Sequence, residues 1–149
     1  MTSTQAIALK LSAILWVIWG LVHMFAGIVV ITSDTGAAVA AVADAVDAAA
    51  LENDYHSAVG AIINQHGFNL LWIGTFTVVG AVYIWRGSAM MILMTAIVGW
   101  VTDVGYFVFL DLGGFVNFMP GTVMTIVSSA AVLLSFWAYA TGLRTMQNG

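Results

Sequence analysis

The chain has 149 residues, 62% of them hydrophobic and only 7% charged, with three basic and seven acidic side chains. A water-soluble domain needs roughly a quarter of its residues charged to cover its surface, so this composition excludes a soluble fold and requires lipid around a single all-α, polytopic membrane domain. Without cysteine there are no disulfides, thiolate metal sites or thiol redox chemistry, and three scattered cations make no patch for nucleic acid.

Four apolar segments, 7–31, 58–85, 89–110 and 118–140, each reach the roughly 20 residues that cross about 30 Å of hydrocarbon. Inside lipid each must satisfy its own backbone, so each is expected to be a helix and the four to form a bundle. Lys10 is the only cation before the first apolar run, and no small-residue cleavage site leads into a soluble domain. That run therefore reads as a retained span and not a cleaved leader.

The outer connection, AAVAAVADAVDAAALEND, repeats alanine and valine at helical spacing and predicts a short amphipathic helix over the outer mouth of the bundle; the other reading is an Ala-rich linker. The turn Arg86–Gly87–Ser88 is short enough to make spans two and three an antiparallel hairpin. Pro120, after Gly113–Gly114, stands where a fourth helix would begin. Asn117 reads as a loop cap.

Lys10, Arg86 and Arg144 all fall on one side of a four-span topology, and Asp34, Asp44, Asp47, Glu52, Asp54 and Asp111 on the other. The positive-inside rule places both termini in the cytoplasm of an inner or plasma membrane.

Polar residues within the spans carry the functional information. His23 in span one, His66 in span two and Asp103 in span three are expected at one depth in the outer half, with Asn64, Gln65 and Asn69 flanking His66 and His56 at the mouth of span two. A lone intramembrane histidine most simply makes a hydrogen bond between helices. Asp103 is harder to explain as packing, because a carboxylate in a span must be paired or protonated and no Lys or Arg shares its depth. Its expected partners are a histidine, an amide, Tyr106 or a cation.

Neutral imidazole is the commonest nitrogen ligand of haem iron, copper and zinc, and a carboxylate beside it can fix its tautomer. No two histidines stand three or four apart, so a metal or haem site here draws ligands from different helices or different subunits. The tryptophans read as packing or lipid-facing residues. Gly27, one turn after His23, reads as room for a flat ligand.

At these residues the chain resembles the styrene oxide isomerases, small four-span membrane enzymes. Gly20–Leu21–Val22–His23–Met24–Phe25–Ala26–Gly27 is similar to their Gly-Leu…His…Gly pattern. His56–Ser57 followed by Asn64 is similar to a His-Ser…Asn stretch, and Trp100–Val101–Thr102–Asp103–Val104–Gly105–Tyr106–Phe107 to a Trp…Asn-Val-Gly-Phe-Tyr segment.

The resemblance implies a trimer with haem b at subunit interfaces, whose ferric iron acts as a Lewis acid and opens an epoxide to an aldehyde through a hydride shift. Carried over, His56 is the iron ligand, Asn64 the amide that positions substrate and Tyr106 the phenol. The chain departs from the pattern in three places. The interval from His56 to Asn64 is two residues longer, leaving His66 with Asn69 as a competing ligand and amide. Asp103 replaces an Asn. Tyr-Phe replaces Phe-Tyr, which turns the phenol about 100° around the helix.

Three functions emerge as expectations. The first is a haem- or metal-dependent intramembrane enzyme acting on a small apolar substrate from the lipid phase. The second is an accessory subunit of a larger respiratory or oxygenase membrane complex. The third is a small proton or ion transporter, against which stands an expected lack of polar residues in the cytoplasmic half.

Overall fold

The computed structural model describes residues 2–147, and the side chains of 2–142. The described residues form an all-α fold with four helices long and apolar enough to cross a membrane: Ser3–Thr32, Ser57–Trp85, Ala89–Asp111 and Phe118–Gly142. The side chain of Arg144 lies outside the described residues.

Span one starts at a capping box. The Thr2 hydroxyl accepts from Gln5 N (3.3 Å), while Gln5 Oε1 accepts from Thr2 N (2.8 Å). Its two faces are sorted inside out. Ile7, Leu11, Ile14, Ile18, Leu21, Phe25 and Ile28 form an exposed stripe at alternating spacings of four and three, as lipid requires, while Ser12, Trp16, Trp19 and Gly27 are buried on the other side.

Spans one and two pack closest, through glycine pairs. A Cβ on Gly74 would lie 2.5 Å from the Gly20 carbonyl oxygen, and a Cβ on Gly27 would lie 2.5 Å from that of Gly67. Both pairs repeat after seven residues, so two antiparallel helices meet backbone to backbone at successive heptads. Gly27 is therefore filled by span two and leaves no room for a flat ligand, contrary to the reading from sequence.

Span three is not a uniform α-helix. Its turns Ala96–Trp100 and Phe107–Asp111 are π-helical and flank the α-helical stretch Val101–Tyr106. Wider turns of this kind shift which residues face a neighbour, and here they flank the segment that carries Asp103 and Tyr106.

The outer connection holds two short helices, Thr35–Val42 and Ala48–Leu51, where the sequence suggested one. Asp34 and Asp47 cap them, each carboxylate accepting from a backbone N–H of the first turn. Between the helices Asp44 ties the connection down: its Oδ1 accepts from Asn117 N (2.7 Å), and its backbone oxygen accepts from Asn117 Nδ2 (2.8 Å). Ala45 N donates to Phe115 O nearby. Asn117 thus stands at the N-cap position of span four without capping it; its amide is spent on Asp44.

Candidate functional site

Asp103 and His23 meet between spans one and three, with Trp19 as the third member. Trp19 lies one helical turn before His23 on the same face, so its indole stacks on the imidazole, with centroids 3.6 Å apart and planes 19° from parallel. Its Nε1–H donates to Asp103 Oδ2 at 2.6 Å. The other carboxylate oxygen faces His23 Nε2 at 3.8 Å. His23 Nδ1 lies 2.8 Å from the Trp19 carbonyl oxygen.

A carbonyl only accepts, so Nδ1 carries the proton in this contact, which leaves Nε2 as the nitrogen turned to the carboxylate. Trp16 braces the group edge-on against Trp19, with centroids 5.7 Å apart at 78°. Gly99 makes space for the Trp16 ring, since a Cβ there would lie 2.5 Å from Trp16 Cζ3.

A cavity of about 410 Å³ opens beside this triad. Span one lines it with His23 and Ala26, span two with His66, span three with Gly105 and Tyr106, and span four with Gly121. Asp44 and its neighbours Ala41 and Val42 cover it from the outer connection. Its size falls at the lower end of the range for small-molecule sites, about 300–1,000 Å³.

His66 is within electrostatic reach of His23 and hydrogen-bonds to no described residue, so both its ring nitrogens are unengaged. The Tyr106 hydroxyl sits against Gly121, where a Cβ would collide with it, and lies within electrostatic reach of Asp44, Asp111 and Asp103. Beside Gly105 an added Cβ would meet nothing within 4 Å, so the cavity wall has room there.

The structure thus brings together four of the residues singled out from sequence: His23, His66, Asp103 and Tyr106. It does not bring the other three to them. His56 is exposed and caps span two, its Nδ1 accepting from Ala58 N at 3.1 Å. In that tautomer Nε2 bears the proton, so the cap and a metal bond through Nε2 compete. Asn64 is exposed on span two. Asn69 accepts from Trp72 Nε1 at 3.2 Å, away from the cavity. Of the partners expected for Asp103, the histidine is present as His23, while neither an amide nor Tyr106 holds it; the hydrogen bonds come from the indole of Trp19 and the hydroxyl of Ser128, which the sequence did not single out.

No protein-family model, curated protein or solved structure matches this chain.

The donor set separates haem from a bare metal ion. Among the described residues no three His, Asp or Glu side chains converge as a cage for an ion, whereas a zinc site needs three or four protein ligands. Haem needs one nitrogen donor on an apolar wall. Of the side chains lining the cavity, His66 has a ring nitrogen free for such a group, and Leu70, Phe109 and Met124 are among the apolar residues of the same lining. The lining offers no cation to a propionate.

The half of the bundle that carries Lys10 and Arg86 is less apolar inside than the sequence suggested. Gln5, Ser12, Thr77, Thr95 and Ser135 are buried there. Ser12 and Ser135 both donate to the Ala131 carbonyl (2.7 and 2.9 Å), and Thr77 donates to the Gly74 carbonyl. A carbonyl ends a proton path, because it accepts and has nothing to pass on. Ser12 thereby joins spans one and four, Ser135 and Thr77 bond back to their own helices, and none of these three hydroxyls extends a relay from Asp103.

Proposed function

We propose that the chain is an intramembrane isomerase that opens a small apolar epoxide to an aldehyde in the cavity beside His23. The observation that carries this reading is the convergence of two imidazoles and a phenol from three helices on one largely apolar cavity, with the buried Asp103 carboxylate facing His23. The resemblance to styrene oxide isomerases supplies the reaction. Haem b is the suspected cofactor and His66 the residue that would hold it; when bound, it supplies a ferric Lewis acid for the epoxide oxygen.

The chain's own residues act around that centre. A substrate dissolved in the lipid reaches the cavity between the spans without crossing water. The Tyr106 hydroxyl, unengaged by any described acceptor, donates a hydrogen bond to the epoxide oxygen as the C–O bond breaks and negative charge develops there. Hydride moves from the oxygen-bearing carbon to the neighbouring cationic carbon, and the carbonyl forms with no atom gained or lost. The indole of Trp19 holds Asp103 so that its second oxygen faces His23 Nε2 at 3.8 Å, where no Lys or Arg compensates charge. The outer connection, tied by Asp44 to Asn117, keeps bulk water from the cationic carbon.

The positive-inside rule sets Lys10, Arg86 and both termini in the cytoplasm and the cavity in the outer leaflet. A trimer is the expected assembly.

The test is an absorption spectrum with metal analysis on detergent-purified protein, followed by turnover of an aryl epoxide. The reading expects a Soret band that His66→Leu removes and His56→Ala spares, and formation of aldehyde. A colourless protein without turnover overturns it. Isolation only in company with other subunits would favour an accessory role instead.

A further inference from the structure

At the opposite end of the bundle from the cavity, we propose a binding site for an anionic phospholipid between spans one and two. The occupant is read from shape and charge together. A groove of about 500 Å³ runs along the seam of the two helices, with Val17 and Ile18 on one side and Val82 on the other. Its floor is Ala13 and Ala81, both buried, and their small side chains leave the depression open. From Ala13 to Ile18 it extends about 8 Å along span one, which accommodates the upper methylenes of one acyl chain.

Trp85 and Arg86 close the end of the groove. The Lys10 ammonium stands over the Trp85 ring, 5.3 Å from its centroid, so both cations reach the same mouth. The Arg86 guanidinium lies 6.0 Å from the Tyr83 centroid. Among the described residues neither cation pairs with a carboxylate; the ion pair found is His23–Asp103, in another part of the molecule. The acids of the outer connection sit at the far end of the helices.

Two unpaired cations beside an indole, above an apolar groove, complement a phosphodiester with its chain pointing into the membrane. A zwitterionic headgroup would bring its own ammonium or choline against Lys10 and Arg86. The groove therefore selects phosphatidylglycerol over phosphatidylcholine. The site shares no residue with the proposed reaction and stands or falls apart from it.

The test is native mass spectrometry of the full chain, delipidated in mild detergent and titrated with each lipid. The expected result is preferential retention of phosphatidylglycerol. At roughly fivefold in affinity per surface cation, Lys10→Gln and Arg86→Gln should each cut that retention about fivefold, while Arg86→Lys keeps most of it. Both cations are exposed, so the variants are expected to fold, and unchanged circular dichroism checks this. Equal retention of the two lipids, an unaltered preference in both Gln variants, or a second copy of the chain cross-linking across Val82 with no lipid held would each overturn the proposal.

Discussion

The hydrogen bond from Trp19 to Asp103 makes the sharpest prediction, because the indole was not expected in the site. Consider Trp19→Phe, Asp103→Leu and the double variant. Phe keeps an aromatic ring against His23 but has no N–H; Leu keeps volume but accepts nothing. The bond is 2.6 Å long and both residues are buried, so water does not stand in for either partner. A hydrogen bond to a charged group contributes about 1.5–3 kcal/mol in soluble proteins. Interhelical bonds in a membrane protein average nearer 0.6 kcal/mol, with a maximum of about 1.7. A short bond to a carboxylate without a cation belongs at the upper end, so the coupling expected is about 1.5 kcal/mol, or roughly twelvefold in the unfolding equilibrium. The assay is reversible unfolding in mixed micelles of dodecyl sulfate and mild detergent, followed by circular dichroism. Each single substitution should destabilise by more than the coupling, since it also leaves a polar group or a space behind. If the two effects add to within about 0.5 kcal/mol, the bond does not hold the carboxylate and the description of the site is wrong.

Glycines give a paired test. Gly74→Ala drives a Cβ onto the Gly20 backbone, which has nowhere to move, and should cost about 1–3 kcal/mol in the same assay; Gly105→Ala meets open space and should leave stability level or raise it by about 0.5–1 kcal/mol. Asp44→Ala removes the carboxylate that accepts from Asn117 N, so amide exchange across 35–51 should quicken while the melting temperature of the spans stays put; unchanged exchange would mean the connection is held elsewhere. His56→Ala loses a helix cap and should destabilise by about 0.5–2 kcal/mol, without disturbing groups in the cavity.

Hydropathy made the spans legible to within a few residues, because lipid imposes one rule on the whole length of a helix. The same rule exposed His23, His66 and Asp103 as misplaced polar groups. It failed for Trp19, since an indole in a membrane protein is ordinarily packing or an interfacial anchor; its position one turn before His23 was the visible sign. Asn64 and Asn69 shared the depth of His66 but not its face, and depth alone does not say which way a side chain points. Gly27 was recognised as a close approach and given the wrong neighbour, because one helix does not reveal which other helix fills its notch. The pairing of Asp44 with Asn117, 73 residues apart, has no local signature at all. Nor did span three announce its π-helical turns, which leave the apolar pattern intact while rotating the residues beyond them.

The matched glycines of spans one and two also decide how the helices may slide. Because both helices repeat the residue at the same interval, a hairpin slipped by one heptad would still mate Gly20 with Gly67. That slipped register would also set Gly27 against Gly60, so the glycines alone do not forbid it; it would move Gly74 onto Ala13 and part Lys10 from Trp85 by about 10 Å. The contact of Lys10 with the Trp85 ring at the end of the helices therefore helps choose between alignments that the glycines share. In the alignment adopted, His23 stands about five residues, or roughly 8 Å along the axis, from the level of His66, and a ligand arriving between them meets the two imidazoles at staggered heights.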